Sequence, residues 1–131
     1  MPRLLSVFRY LWALPNTLLG LALALLSRLA GGVQAQKVCG VVEVYGPGVR
    51  RLLRLLRPAK PTIDALTLGH VVLACDRPTL ERTRGHEAIH VRQYERWGPF
   101  FLPAYWIAGL LAARRGGDSY RDNPFEKQAR L

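Results

Sequence analysis

Apolar residues occur in four long runs along this chain, and the spacing within each run predicts one kind of secondary structure. The runs at residues 12–29 and 100–113 are almost continuously apolar and predict helices. The runs at residues 38–45 and 67–75 are shorter and rich in β-branched residues, so they predict strands of a short hairpin or sheet. This order of elements predicts an α+β fold, and 131 residues suffice for one domain.

A further helix is predicted over residues 78–97, where apolar residues recur at helical spacing. Asp76 or Thr79 can accept amide hydrogen bonds at its start, and Gly98 followed by a proline ends it. Gly85 lowers the stability of this helix by ~1 kcal/mol relative to alanine. A close approach by a neighbouring backbone would explain why glycine occupies this position. The expected apolar face comprises Leu80, Ala88, Val91 and Tyr94.

The middle of this helix contains a histidine pair with the spacing of a zinc site. His86 and His90 are four residues apart, so they share one helix face about one turn (~5.4 Å) apart. Two imidazoles placed in this way can bind one Zn²⁺ at ~2.0–2.1 Å each. Glu87 lies beside the first histidine and is available as a base toward a water activated by the metal. The alternative is an ordinary amphipathic helix with two solvated histidines.

A third metal ligand is predicted near the C-terminus, because two histidines and a water leave tetrahedral zinc one protein ligand short. Asn123 can cap a short helix that begins at Pro124, and Glu126 then occupies the third helical position. From there Glu126 can bind the metal, or it can complete a reciprocal capping arrangement with Asn123. Tyr120, after the loop at residues 114–119, is a candidate donor to a developing oxyanion, with simple packing as its alternative.

The pattern His86-Glu87-x-x-His90, followed by a helical Glu126-x-x-Ala129, resembles the gluzincin metallopeptidases. It is most similar to the membrane-associated peptidases of the Ste24 and HtpX type, although the resemblance covers only these two short segments. The resemblance implies a zincin-like domain that cleaves peptide or protein substrates. It also implies that both histidines and Glu126 bind Zn²⁺, while Glu87 activates water.

The chain departs from that family at one position next to the third ligand. The family commonly has an aspartate directly after the alanine, and this chain has Arg130. Such an aspartate would hold a ligand histidine in the correct orientation. Asp122, Asn123 or a backbone carbonyl is therefore expected to do so here.

Composition and charge favour contact with a membrane or an anionic lipid surface. Half of the residues are hydrophobic, yet the net charge is +10. Residues 50–57 alternate arginine and leucine pairs at helical spacing, as an interfacial helix would. Because no aromatic-and-basic surface for stacking bases is evident, nucleic acid is not an expected partner. A chain of this size could also need a second copy to enclose a substrate, so a homo-oligomer is possible.

Three interpretations of the N-terminal apolar run remain open. Residues 1–30 can be a membrane anchor ahead of a catalytic part at residues 37–131, a signal peptide cleaved near residues 33–35, or a buried core helix. Arg28 follows the run closely and argues against cleavage, whereas a break at Pro15 shortens the run to a marginal span. An anchor predicts a membrane-associated protein, with the bacterial inner membrane as the expected location.

Three other residues have alternative roles that depend on the predicted strands. His70 lies on the strand just ahead of the histidine helix, where it can polarise a substrate carbonyl or serve only the structure. The edge of that strand could pair with an extended peptide. Cys39 and Cys75 lie on the two predicted strands and could face each other across a ladder, but two cysteines settle neither a disulfide nor a compartment.

The sequence therefore predicts a zinc-dependent hydrolase that cleaves amide bonds. A non-catalytic membrane adaptor with a structural metal or none is the first alternative. A basic nucleic-acid-binding protein is the second, and it requires affinity to fall steeply with salt.

Overall fold

The computed structural model describes residues 2–56, 65–118 and 120–130, with side chains described for residues 7–55 of the first segment. The predicted α+β class is confirmed: the described chain contains helices, a four-stranded mixed sheet and an apolar N-terminal helix. A single 3₁₀ turn, Gly98–Phe100, connects two of the helices. The elements in chain order are α1 (Pro2–Ala30), β1 (Gln34–Val38), β2 (Val41–Tyr45), α2 (Pro47–Leu56), β3 (Ala65–Leu68), β4 (Val71–Ala74), α3 (Arg77–Trp97), α4 (Phe101–Arg114) and α5 (Pro124–Ala129).

The two predicted strands are wrong as single strands, because each run contains a tight turn. β1 and β2 are joined by Cys39 (φ 51°) and Gly40 (φ 80°), and β3 and β4 are joined through Gly69 (φ 60°) and His70. Positive φ at both central residues, as in the first turn, or at the first central residue alone, as at Gly69, matches the twist of paired strands. Neither turn has the Asn-Gly or Asp-Gly sequence that would have marked it.

The four strands form a sheet in the order β1-β2-β4-β3. The outer pairs are antiparallel, whereas β2 and β4 are parallel, with Val44 opposite Leu73. A parallel pair needs a crossover connection, and α2 lies in the segment that provides it. β4, the strand just ahead of α3 in sequence, is therefore internal to the sheet. The sequence predicted that the strand ahead of α3 offers a free edge, whereas β3 occupies that edge of the sheet.

Helices cover both faces of the sheet. Alternate residues of β4 point to opposite faces: Val71 and Leu73 pack in one cluster with Val49 and Leu53 of α2. The intervening strand residues, Val72 and Ala74, pack in another cluster with Leu80 and Val91 of α3. α3 therefore lies on one face of the sheet, and α2 lies on the other together with α1. The buried β4 residues account for the unbroken apolar pattern of this strand.

Helix α1 is continuous through Pro15, so the expected break is wrong. Val7–Ala30 is long and apolar enough to cross a membrane by length and composition, with 22% of that window buried. Its inner face approaches the sheet closely, since a Cβ at Gly20 would lie 2.8 Å from Cβ of Val71. The same face buries Asn16, whose amide donates to the Gly98 carbonyl at 2.9 Å.

The predicted boundaries of the histidine helix are confirmed. Asp76 caps α3 by accepting from the Thr79 amide at 2.8 Å, and Gly98 ends the helix. The expectation for Ala88 is wrong, because this residue is exposed. The buried face of α3 is instead strongly polar and consists of Thr79, Leu80, Glu87, His90, Val91, Gln93 and Tyr94.

The explanation offered for Gly85 is also wrong. Its position is exposed, and a Cβ placed there would meet no atom within 4 Å among the described residues. No close backbone approach therefore requires a glycine in this turn of α3.

Gly85→Ala is expected to raise the free energy of unfolding by about 0.5–1 kcal/mol, because alanine restricts the unfolded chain and fits the helix. Gly48→Ala is the contrasting variant, since its Cβ would lie 1.9 Å from the Ser27 carbonyl oxygen. We expect this second change to cost about 1–3 kcal/mol through forced displacement of α1 from α2. Urea unfolding of both variants measures the two effects, and equal effects of the two substitutions would contradict this packing.

Candidate metal centre

Three potential metal ligands from two helices converge at one point. Nε2 of His86 lies 3.1 Å from Nε2 of His90. The Glu126 carboxylate reaches both rings, with Oε2 3.1 Å from Nε2 of His86 and Oε1 3.1 Å from Nε2 of His90. His86, His90 and Glu126 therefore form a group that could hold a metal ion. The sequence prediction that these residues meet is confirmed.

The spacing and chemistry of these three donors fit zinc. Ligands ~2.0–2.1 Å from a tetrahedral ion lie roughly 3.3 Å from one another. The three separations of 3.1 Å in the structure are close to that value without any rearrangement of the helices. Two imidazoles and one carboxylate also match the donor set of catalytic zinc sites with one position left for water.

Helix α5 is held where its carboxylate can reach the histidines. Asn123 caps it by accepting from the Phe125 amide at 3.0 Å and donates to the Tyr105 carbonyl at 3.0 Å. The backbone N–H of Asn123 donates to Tyr120. In a reciprocal capping arrangement that N–H would bind Glu126. The capping alternative for Glu126 therefore does not apply, and its side chain faces the histidines.

Gln93 orients the second histidine, a role that sequence reasoning gave to other residues. Its side-chain carbonyl oxygen lies 2.9 Å from Nδ1 of His90, so the ring proton resides on Nδ1 and the lone pair on Nε2 faces the candidate site. The amide orientation follows from donation to the Phe125 carbonyl at 3.1 Å and to Oε1 of Gln128 at 2.7 Å. Gln93 thus also joins α3 to α5.

The two side chains proposed for that orienting role are engaged elsewhere. Asp122 accepts from the Asp118 amide at 2.7 Å, and Asn123 caps α5. Arg130, which stands where an aspartate was expected, donates to the Arg121 carbonyl. The expectation for Asp122 and Asn123 is therefore wrong. A glutamine three residues after the second histidine, on the same helix face, was the available signal for Gln93.

Glu87 lies in the same cavity as the three converging groups and is only 6% exposed. Burial raises the pKa of Glu87 above its ordinary value, although the Thr67 hydroxyl on β3 donates to its carboxylate and opposes this shift. A raised pKa suits a group that must accept and then release a proton. Thr67 was not identified from the sequence, because it was predicted at the start of a strand over residues 67–75 and in fact lies within β3 (Ala65–Leu68).

Electrostatics distinguishes Glu126 from Glu87. Burial opposes charge on Glu126, but its contacts with His90 and Tyr105 outweigh burial, and the net pKa is lowered. Burial likewise lowers the pKa of His90, and the contact with Glu126 reverses the direction to a net rise. Glu126 and the buried His90 imidazole therefore each stabilise the charged form of the other.

Two tyrosines complete the surroundings of Glu126. The Tyr105 hydroxyl donates to Oε1 at 2.9 Å. Tyr120 also hydrogen-bonds this carboxylate, and burial followed by the charge of Glu126 raises the pKa of Tyr120 to about 12. Tyr120 is therefore a neutral phenol at physiological pH and lines the cavity as expected. Its catalytic role stays a prediction, and Tyr105 was missed because its run was analysed only as an apolar helix.

The candidate site opens into a cavity of about 430 Å³. Residues of the edge strand β3 and of helices α3, α4 and α5 form most of its lining. The Thr67 carbonyl at this edge already accepts from the Tyr94 hydroxyl at 2.8 Å. Most of the remaining lining is apolar and comprises Leu53, Ala65, Leu66, Phe101, Leu102 and Trp106.

The remaining residues singled out from the sequence lie away from this cavity. His70 is buried in the β3–β4 turn, where Nε2 lies 3.1 Å from Oε2 of Glu95 and the ring stacks on Tyr10. These contacts support the structural role. Cys39 is exposed in the β1–β2 turn and Cys75 is buried after β4, so the expectation that they face each other is wrong.

No protein-family model matches the sequence, and comparison with curated proteins and with solved structures gives no match. The interpretation of the site consequently depends on its own geometry.

Gln93→Leu is expected to lower zinc affinity roughly 10–100-fold, because His90 loses the acceptor that fixes its ring. Competition with a chromophoric chelator measures the change. Gln128→Ala is the matched control, since it removes one contact of Gln93 but leaves the bond to His90. An equal loss in both variants would mean that Gln93 acts only by joining α5 to α3.

Proposed function

We propose that this protein is a zinc-dependent hydrolase that cleaves amide bonds in peptides. The observation that carries the proposal is the convergence of His86, His90 and Glu126 in a cavity that also contains the buried Glu87. A purely structural zinc site needs four protein ligands and no cavity. Three ligands beside a base and an open volume favour chemistry.

In this proposal each polar residue has a separate task. The two histidines and Glu126 hold the zinc ion, which, when bound, lowers the pKa of a water ligand toward ~7 and polarises a carbonyl. Glu87 accepts the proton of the attacking water and then delivers it to the leaving nitrogen. The Thr67 hydroxyl holds the Glu87 carboxylate in place between these two steps.

The tyrosines are suited to the negative charge that develops on the substrate. Tyr120 is protonated at physiological pH and borders the cavity, so its hydroxyl can donate to the developing oxyanion once it exchanges its bond to Glu126 for that contact. Tyr105 donates to Glu126 and is anchored through its backbone by Asn123. We assign Tyr105 a positioning role and Tyr120 a catalytic one.

The cavity favours an extended substrate with an apolar side chain near the scissile bond. Ala65 and Leu66 present the edge of β3 beside the candidate site, and aromatic side chains of α4 line the same cavity. Alternate residues of a strand direct their backbone groups to the same side. Because the Thr67 carbonyl points outward to Tyr94, the backbone of Ala65 is the edge group that remains for a peptide.

Metal analysis tests the first part of this proposal. Protein purified without an affinity tag is expected to contain one zinc ion per chain, and Glu126→Gln is expected to lose most of it. The amide cannot supply the negative charge that Glu126 provides, although its size is unchanged. An intact fold with no metal in the parent protein would favour the non-catalytic membrane adaptor instead.

Glu87→Gln tests the chemistry separately from metal binding. The variant is expected to retain zinc while hydrolysis of a quenched peptide library falls ~10²–10⁴-fold, the usual contribution of a general base. Glu81→Gln is the control on the same helix, because the Glu81 side chain is 54% exposed and pairs with Arg77. Full activity of the Glu87 variant would exclude the proposed mechanism.

Thr67→Val is expected to move the acidic limb of the kcat/KM profile to higher pH. The Thr67 hydroxyl donates to the Glu87 carboxylate and lowers its pKa, so its loss raises that pKa further. Activity requires ionised Glu87. On acidification, the variant therefore loses activity at a higher pH than the parent protein does. Thr83→Val is the control, since Thr83 lines the same cavity but donates to the Thr79 carbonyl. An unchanged limb in the Thr67 variant would contradict the role of Glu87.

A further inference from the structure

Helix α1 has its large apolar side chains on the outside of the molecule. Leu11, Leu18 and Leu25 repeat at intervals of seven along one face and are 61%, 56% and 60% exposed. Their exposed neighbours are equally apolar and comprise Val7, Phe8, Leu14, Leu19, Leu21, Leu26 and Leu29. A helix at the surface of a water-soluble domain has the opposite arrangement, with leucines inside.

The inner face of α1 consists of small and polar residues. Ala13, Asn16, Gly20 and Ser27 are buried against the domain. Small and hydroxyl-bearing residues at the protein contact, with leucines on the other side, are typical of helices that face lipid. The distribution therefore indicates that a hydrocarbon phase covers the outer face.

The contacts of α1 exclude a simple crossing of the membrane. The Tyr10 hydroxyl donates to the Gly40 carbonyl at 2.8 Å, and near the other end Arg51 donates to the Ala30 carbonyl at 2.8 Å. Between these points the Thr17 hydroxyl accepts from the His70 amide at 3.0 Å. About 20 residues of helix span ~30 Å, which is the thickness of the hydrocarbon core. A crossing helix would thus draw the attached sheet, with its charged helix α3, into hydrocarbon.

The exposed apolar surface continues from α1 onto α4. The Trp12 ring lies 6.1 Å from that of Phe8 on α1 and 6.0 Å from that of Phe100, which directly precedes α4. Along α4, the exposed large apolar side chains are those of Trp106, Ile107, Leu110 and Leu111. Trp106 is 74% exposed and also borders the metal cavity, so this cavity lies next to the apolar surface.

Positive charge is concentrated on the same helices. α1, α2 and α4 carry seven arginines and no acidic residue, which accounts for most of the net charge of +10. In α1, Arg28 is exposed among the last leucines, where its long side chain can reach headgroups. α2 exposes Arg50, Arg51 and Arg54 on the sheet face that α1 also covers. The complementary partner is an anionic bilayer.

We propose that α1 and α4 form a docking surface that lies in the plane of one leaflet of an anionic phospholipid bilayer. The outer leucines of α1 and the aromatic and aliphatic residues of α4 enter the acyl region, while the arginines of α1, α2 and α4 contact headgroups. The domain remains on the side from which it binds. If the proposed hydrolase function holds, the cavity then acts on peptides at the membrane surface.

Sedimentation with vesicles tests the surface independently of hydrolysis. The full chain is expected to bind phosphatidylcholine–phosphatidylglycerol vesicles, and Leu18→Glu combined with Leu25→Glu should weaken binding at least ~100-fold. Arg92→Glu is the control, because it changes net charge equally at an exposed position of α3, on the other face of the sheet. Circular dichroism checks that each variant is folded. Equal weakening in both variants, or no binding by the parent chain, would overturn the proposal.

Depth measurements distinguish an in-plane helix from a crossing one. Spin labels at residues 11, 18 and 25, in a Cys39→Ser and Cys75→Ala background, should show similar shallow immersion. A label that is much deeper at residue 18 than at the other two would indicate a span and overturn the in-plane arrangement. Light scattering without vesicles shows whether the chain forms a dimer. If it does, and the labels are inaccessible in that dimer, the apolar surface is the interface with a second copy of the chain and the proposal is overturned.

Discussion

The docking of α5 on α3 is the interaction on which the candidate site depends. Helix α5 has only six residues, so it cannot hold its position by helix propensity alone. Gln93 fixes it from α3, and Asn123 fixes it from the Tyr105 carbonyl of α4. Because both anchors are buried and hydrogen-bonded, the Glu126 carboxylate is placed without strain beside two imidazoles that are 40 and 36 residues away in sequence.

The sheet supplies the second constraint, since its edge strand sets where Glu87 can point. β3 lies outermost because β2 pairs in parallel with β4, and α3 then crosses the face that contains Thr67. The same topology leaves the opposite face to α1 and α2. The cavity and the apolar surface are therefore separate consequences of one strand order: α3 directs polar groups into the cavity, whereas α1 directs leucines outward.

The sequence was informative wherever a residue type has one strong geometric requirement. Two histidines four apart, Asp76 before a helix and Asn123 before Pro124 each predicted local geometry that the structure has. The predictions of two single strands were wrong because the turns at Cys39-Gly40 and Gly69-His70 lack a distinctive hairpin sequence. Gln93, Thr67 and Tyr105 were not predicted, since their roles come from contacts between elements that no local pattern encodes. Which face of α1 is buried likewise depends on the helices and strands that it contacts.

The charge balance of the cavity is compatible with a bound cation. Glu87 and Glu126 are 6% and 3% exposed, and burial, followed by the charge of Glu126, raises the pKa of Glu87. Burying carboxylates is costly unless positive charge or hydrogen bonds compensate. Protonation of His90 offers one compensation, because Gln93 accepts the proton on Nδ1 while Nε2 faces the Glu126 carboxylate, and these contacts outweigh burial and raise the pKa of His90. A divalent cation at that point would offer another, because it would neutralise both carboxylates and use both ring lone pairs.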